Sequence, residues 1–203
     1  MVDGWAHFGR PTLFKPLHRL ILLASAAAAG PAAAQTSTSS TPAPAPQGPP
    51  PPACNSPEHR QFDFWVGRWD VYRTGTDTLV AHSLIESLYG GCAIRENWMP
   101  LRGSGGGSLN SWLPRQGVWR QAWVDSANSW AIFEGGIEDG AMVISGVWPG
   151  AAGPGSEPLV RIRYSREDGG AVRQAGQIST DGGQTWAPSF DLTYRPSAAR
   201  TTD

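Results

Sequence analysis

Chemistry on this chain would have to run on few groups. Three glutamates, Glu86, Glu96 and Glu134, sit in runs of β-branched and aromatic residues. Carboxylates facing each other across a cleft can share acid–base work, one giving a proton while the other takes it. Three glutamates scattered over so long a stretch need no catalysis to explain them. An enzyme reading therefore rests on Glu96 or Glu134 as the acid–base group. Past residue 20 the only histidines are His59 and His82, and neither has a histidine or cysteine at a metal-ligand spacing. No metal site is expected. Gly103-Ser104-Gly105 lacks a histidine partner, and the run Gly105 to Gly107 lacks the lysine and helix of a phosphate loop. No lysine follows Lys15, which excludes Schiff-base lysine chemistry from the rest of the chain. No catalytic residue and no cofactor is assigned.

A net charge of −1 and 16 % charged residues leave no basic patch of the kind that binds nucleic acid. Of the 10 tryptophans, all but Trp5 lie beyond residue 60. Tryptophan packs well on a pleated sheet and also supplies flat recognition surface.

These groups need elements to hold them, and the first 53 residues offer none. Lys15 and Arg19 precede the apolar run Leu20-Ile21-Leu22-Leu23-Ala24, and Ala32-Ala33-Ala34 supplies the small residues of a cleavage site. A signal peptide over 1–34, cleaved after Ala34, is expected. The mature protein would then be periplasmic or secreted, with no stable membrane span, since the apolar run is too short. Residues 35–53 are Ser, Thr, Pro, Ala and Gln, a composition that buries no apolar surface and favours an extended, disordered spacer. Cys54 follows Pro-Pro-Ala, so a lipid-anchored cysteine is not expected. Residues 197–203 read as a disordered tail. Cys54 and Cys92, the only cysteines, would pair as a disulfide in an oxidising compartment. The loop so closed would stabilise the fold by roughly 4 kcal/mol on the chain-entropy estimate. A redox-active thiol would need a CxxC that is absent.

From Trp69 onward the chain alternates short strand-like runs with Gly and Pro punctuation. Strands are expected over 69–73, 80–89, 93–99, 108–113, 118–125, 130–135, 142–148, 159–165, 172–179 and 189–195. About ten strands in one small domain over 54–196 favour closure into an all-β, antiparallel, up-and-down barrel, because closure removes sheet edges. Ser56-Pro57-Glu58-His59 is a helix-start signal, so a short N-terminal helix is expected to carry Phe62, Phe64 and Trp65 under the barrel's open end and to stop at Gly67.

Several of these segments carry a family resemblance. Gly67-Arg68-Trp69 is similar to the Gly-x-Trp at the mouth of strand one in lipocalins and related calycins. Phe62-Asp63-Phe64-Trp65-Val66-Gly67-Arg68-Trp69-Asp70-Val71, Gly90 to Trp98, Ser108-Leu109-Asn110 and Trp119 to Ser126 resemble an uncharacterised family of exported bacterial proteins with a calycin-like or lipocalin-like barrel. The resemblance implies the fold and brings no activity. It also implies that an arginine from the last strand, here Arg195, stacks on Trp69. A haem-binding barrel of the nitrobindin type needs a histidine on a late strand, and none follows His82. Ser179-Thr180-Asp181-Gly182-Gly183-Gln184-Thr185-Trp186 matches the Asp-box of sialidases. A single copy in so short a chain reads as a hairpin in which Asp181 binds turn amides and Trp186 staples the turn.

A barrel strand sends alternate residues inward. Trp119, Gln121, Trp123 and Asp125 share one face; Ile94, Glu96 and Trp98 share another, and Trp130, Ile132 and Glu134 a third. Asn110, Trp112, Arg161, Arg163 and Gln174 would complete a mixed aromatic and polar lining. Three functions remain open. The leading one is a barrel that binds a small amphipathic or planar ligand through Glu96, Trp98, Asn110, Trp112, Gln121, Trp123 and Glu134. The others are an enzyme using Glu96 or Glu134, and an interaction module on a Pro-rich tether.

Overall fold

A computed structural model describes residues 54–197. The chain divides into two units, Met1–Gly48 and Pro49–Asp203, and the described residues belong to the second. The expected leader (1–34), spacer (35–53) and, apart from Ser197, tail (197–203) lie outside the described residues.

Ten antiparallel strands close into one up-and-down barrel: β1 (Gly67–Arg73), β2 (Leu79–Leu88), β3 (Ala93–Pro100), β4 (Gly106–Leu113), β5 (Val118–Asp125), β6 (Trp130–Glu138), β7 (Ala141–Val147), β8 (Leu159–Arg166), β9 (Val172–Ser179) and β10 (Ala187–Pro196). Each strand pairs with its sequence neighbours, and β1 closes on β10 with Val71 opposite Tyr194. The turns follow from residue type. Glu138 faces Ala141 around Asp139-Gly140, where both φ angles are positive, +49° and +76°. That is the geometry a two-residue hairpin of matching twist requires, and the reason glycine stands there.

Period-two burial fills the interior. In β8, Val160, Ile162 and Tyr164 are buried while Arg161 and Arg163 point outward; in β5, Trp119 and Gln121 are buried while Arg120 is exposed. In place of one short helix stand two single-turn 3-10 helices, Pro57–Arg60 and Asp63–Trp65. They carry Phe62 and Trp65 into one end of the barrel. Phe62 stacks on Trp65 at 4.9 Å between ring centroids and meets Trp119 edge-on at 5.7 Å. Trp65 in turn lies 4.9 Å from Tyr164. The Cys54–Cys92 disulfide, spanning 38 positions, ties this end segment to the turn before β3. Arg60 reinforces the tie by donating to the carbonyls of Cys54 and Gly91 at 2.9 and 2.6 Å.

The entry to β1 departs from expectation in one respect. Trp69 is buried, its indole 3.2 Å from where a Cβ on Gly67 would stand, and its N–H donates to the Trp65 carbonyl at 2.9 Å. Arg195 does not stack on it. Tyr194 is the inward residue of that strand pair, so Arg195 points out, lies 4.3 Å over the Tyr72 ring and pairs with Asp77. One position of parity decides this: an outward arginine cannot reach an inward tryptophan. The last hairpin has the expected bonds. Asp181 accepts from Ser179 Oγ at 2.7 Å, the Thr185 amide at 2.9 Å and Thr185 Oγ1 at 2.6 Å. The two Thr185 bonds, with Ser179, hold its carboxyl well below the usual carboxylate range. The Trp186 indole donates to the Gly183 carbonyl at 3.1 Å, and the Arg161 guanidinium covers its ring at 4.4 Å.

Candidate functional site

The described residues leave the end of the barrel opposite the Phe62–Trp65 plug unfilled. A cavity of about 220 Å³ remains there. Its upper wall is apolar: Trp98, Trp123 and Trp148 with Phe133, Ile162, Phe190 and Leu192. The polar edges of two of these tryptophans are already tied. Trp123 Nε1 donates to Asp125 Oδ2 at 3.0 Å and Trp148 Nε1 to Ser129 Oγ at 2.7 Å, which leaves their ring faces for the cavity. The two rings stand 6.0 Å apart. Phe190 reaches inward because Gly176 beside it has no side chain; a Cβ there would come within 2.3 Å of the Phe190 ring.

The floor is polar. Glu96, Gln121, Gln174, Tyr164 and Tyr194 line it, and hydrogen bonds join them into a closed belt with Ser108 and Asn110. Ser108 Oγ donates to Glu96 Oε2 at 3.2 Å, and Asn110 Nδ2 to Ser108 Oγ at 3.0 Å. Gln121 Nε2 donates to Asn110 Oδ1 at 2.7 Å and to the Tyr164 hydroxyl at 3.3 Å. Gln174 Nε2 donates to the same hydroxyl at 3.0 Å, and Tyr194 donates its one hydrogen to Gln174 Oε1 at 2.8 Å, with Glu96 Oε1 a more distant 3.4 Å from its oxygen. Such a belt satisfies buried polar groups that would each cost free energy alone. Below it, Tyr164 rests on the plug rings.

Glu96 is the one acid in this setting, 5 % exposed. Burial pushes its carboxyl up to about 7, against the opposing pull of bonds from Ser108, Ser83 and Tyr194. Burial also raises the Tyr164 and Tyr194 hydroxyls, and the nearby Glu96 charge adds to both. The floor thus holds weakly acidic groups that titrate late, surrounded by apolar wall.

Of the ligand set expected from sequence, Glu96, Trp98, Gln121 and Trp123 come together around the cavity, with Gln174. Asn110 lies just outside the lining, in the belt. Trp112 is outside the cavity lining: it pairs with Trp119, the residue that meets Phe62 of the plug. Glu134 is a correction: Gln121 pairs with Phe133 and Trp123 with Ala131, so Trp130, Ile132 and Glu134 face outward. Glu134 accepts from Arg120 Nε at 2.6 Å on the outer wall, and Trp130 is 60 % exposed. Arg161 and Arg163 are likewise outside; Arg161 Nη2 donates to Gln177 at 2.8 Å. The sequence reading missed Phe133, Trp148, Ile162, Tyr164, Phe190, Leu192 and Tyr194. Applying the same alternation to β8 and β10 would have found most of them.

Among the described residues, no cluster of three His, Cys, Asp or Glu is set to hold a metal, and no helix is long and apolar enough to cross a membrane. Compared with protein-family models the chain matches none, and no curated protein matches it.

Proposed function

We propose that this is an exported, lipocalin-like barrel that binds a small planar or amphipathic ligand in its interior and holds it without chemistry. The observation that carries the reading is the cavity of about 220 Å³, walled by three tryptophans and floored by a closed polar belt. Concave, mostly apolar sites with a few convergent polar groups are where small molecules bind. The volume exceeds the roughly 150 Å³ that suffices for benzene and falls short of the roughly 300 Å³ at which drug-sized sites begin. The disulfide supports export, since such bonds persist in oxidising compartments. Fractionation of the host, with N-terminal sequencing of the mature chain, tests that part: a start at Gln35 is expected, and a cytosolic, unprocessed chain would contradict it.

Native mass spectrometry of protein purified from its own host tests the binding reading. A retained small molecule, released on denaturation, is expected; the mass of the bare chain from every preparation would count against it.

One observation favours a second reading. Glu96 is a buried carboxylate raised to about 7 beside the cavity, which suits a general acid or base near neutral pH. Conversion of the retained molecule by wild type but not by Glu96→Gln would establish it. Glu134, outside the barrel, has no part in it.

A further inference from the structure

The floor of the cavity does not spend all its hydrogen-bonding capacity on itself, and what is left over has a definite pattern. The backbone fixes the orientation of the belt. The Ile94 carbonyl can only accept, and Asn110 Nδ2 donates to it at 3.0 Å. Asn110 therefore turns its Oδ1 toward Gln121, and Gln121 must answer with its amide nitrogen, at 2.7 Å. Both hydrogens of Gln121 Nε2 are then used, on Asn110 and on Tyr164, while its Oε1 meets no donor among the described residues. The Tyr164 hydroxyl accepts twice, from Gln121 and Gln174, and its own hydrogen has no acceptor among them. Gln174 has one amide hydrogen left. Glu96 is already engaged: Ser83 Oγ at 3.3 Å and Ser108 Oγ at 3.2 Å donate to it, and the Tyr194 hydroxyl, whose hydrogen goes to Gln174, stands 3.4 Å away.

Gln121, Tyr164 and Gln174 all line the cavity, so two donors and one acceptor sit side by side under an apolar, aromatic wall. No arginine, lysine or histidine lines the space. An anionic head would find no counter-charge, and an ammonium would have to compete for Glu96 with the Ser83 and Ser108 hydroxyls.

Resting on the ligand-binding reading above, we infer that the bound molecule is an uncharged flat ring system with an amide edge, a lactam or cyclic imide. Its carbonyl accepts from the Tyr164 hydroxyl and the Gln174 amide, and its ring N–H donates to Gln121 Oε1. Its rings lie against Trp98, Trp123 and Trp148. At interior packing density the cavity has room for about ten heavy atoms, one bicyclic skeleton.

Calorimetric titration of the disulfide-intact protein with four aromatic probes of about ten heavy atoms tests this: isoquinolin-1(2H)-one, naphthalene, benzoate and tetrahydroisoquinolinium. The lactam is expected to bind at least about tenfold more tightly than naphthalene, the size of effect two well-placed hydrogen bonds produce. Tyr164→Phe, which keeps the ring on the plug, is expected to shrink that ratio. Equal affinity for lactam and naphthalene, or tighter binding of the carboxylate or the ammonium, would overturn the amide edge and leave the cavity a ligand site. Failure of all four to bind would overturn the ligand-binding reading along with it. The wild-type ranking decides the matter even where a variant folds poorly.

Discussion

The two ends of the barrel use the same residue types for opposite purposes. At the closed end Phe62, Trp65 and Trp119 interlock with Tyr164, and the disulfide holds the plug segment in place. At the other end Trp123, Trp148 and Phe133 also touch one another, yet they enclose empty volume. The difference is the backbone beneath them. The plug segment enters one end from outside the barrel and fills it, whereas among the described residues no such segment enters the other. A barrel of ten strands has more interior than its own inward side chains fill. An aromatic-rich sequence is therefore ambiguous between core and pocket until the plug is located.

The largest expected effect separates the ends directly. Trp65→Ala removes a fully buried ring and should cost about 3–5 kcal/mol in urea unfolding. Trp148→Ala, at the half-buried mouth, should cost less than half as much. Equal losses would erase the distinction. Replacing both cysteines, Cys54→Ser with Cys92→Ser, should lower stability by roughly 4 kcal/mol on the chain-entropy estimate. Affinity for any cavity ligand should be unchanged, because the bond braces the far end. A weakened ligand affinity in the folded double variant would show the ends to be coupled.

The belt between the ends supplies a pH test. Glu96 in the folded protein titrates at about 7, above the 4.5 of an unperturbed glutamate. Between these values the folded state keeps a proton that the unfolded chain has released. Stability therefore falls as pH rises through that window and is level above it. The expected difference between wild type and Glu96→Gln across the window is about 3 kcal/mol. Parallel stability curves for the two proteins would show that the carboxyl is not held as described. The smallest effects belong to the outer wall. Arg120→Ala breaks an ion pair whose partners are both 45 % exposed, and its cost should stay below about 1 kcal/mol. A loss of the size seen for Trp65 would mean that the outer wall is structural.

How far the sequence discloses this arrangement depends on what each signal encodes. Strand positions and closure are local: alternation and glycine punctuation mark all ten strands within a few residues of their observed ends. The Cys54–Cys92 pair and the Asp181 hairpin are local or unique in the same way. Face assignment is harder, because parity within a strand says only which residues share a side. In β5 the face of Trp119, Gln121 and Trp123 is the inward one, but its parity alone does not say so. In β6, Trp130, Ile132 and Glu134 make an equally aromatic set that the register with β5 turns outward. Depth along the axis is hidden altogether, which is why Trp112 falls on the plug side of the belt. The Arg195 misplacement has the same root, a single step of register relative to Tyr194.

The central claim is that the ligand occupies the barrel interior rather than its surface. Leu192→Trp would fill that space from the wall. Titration of isoquinolin-1(2H)-one, or of the molecule retained from the host, into wild type and Leu192→Trp tests the claim directly. Binding should be lost in the variant while its thermal midpoint stays the same or rises; a folded variant that binds as tightly as wild type would contradict the account.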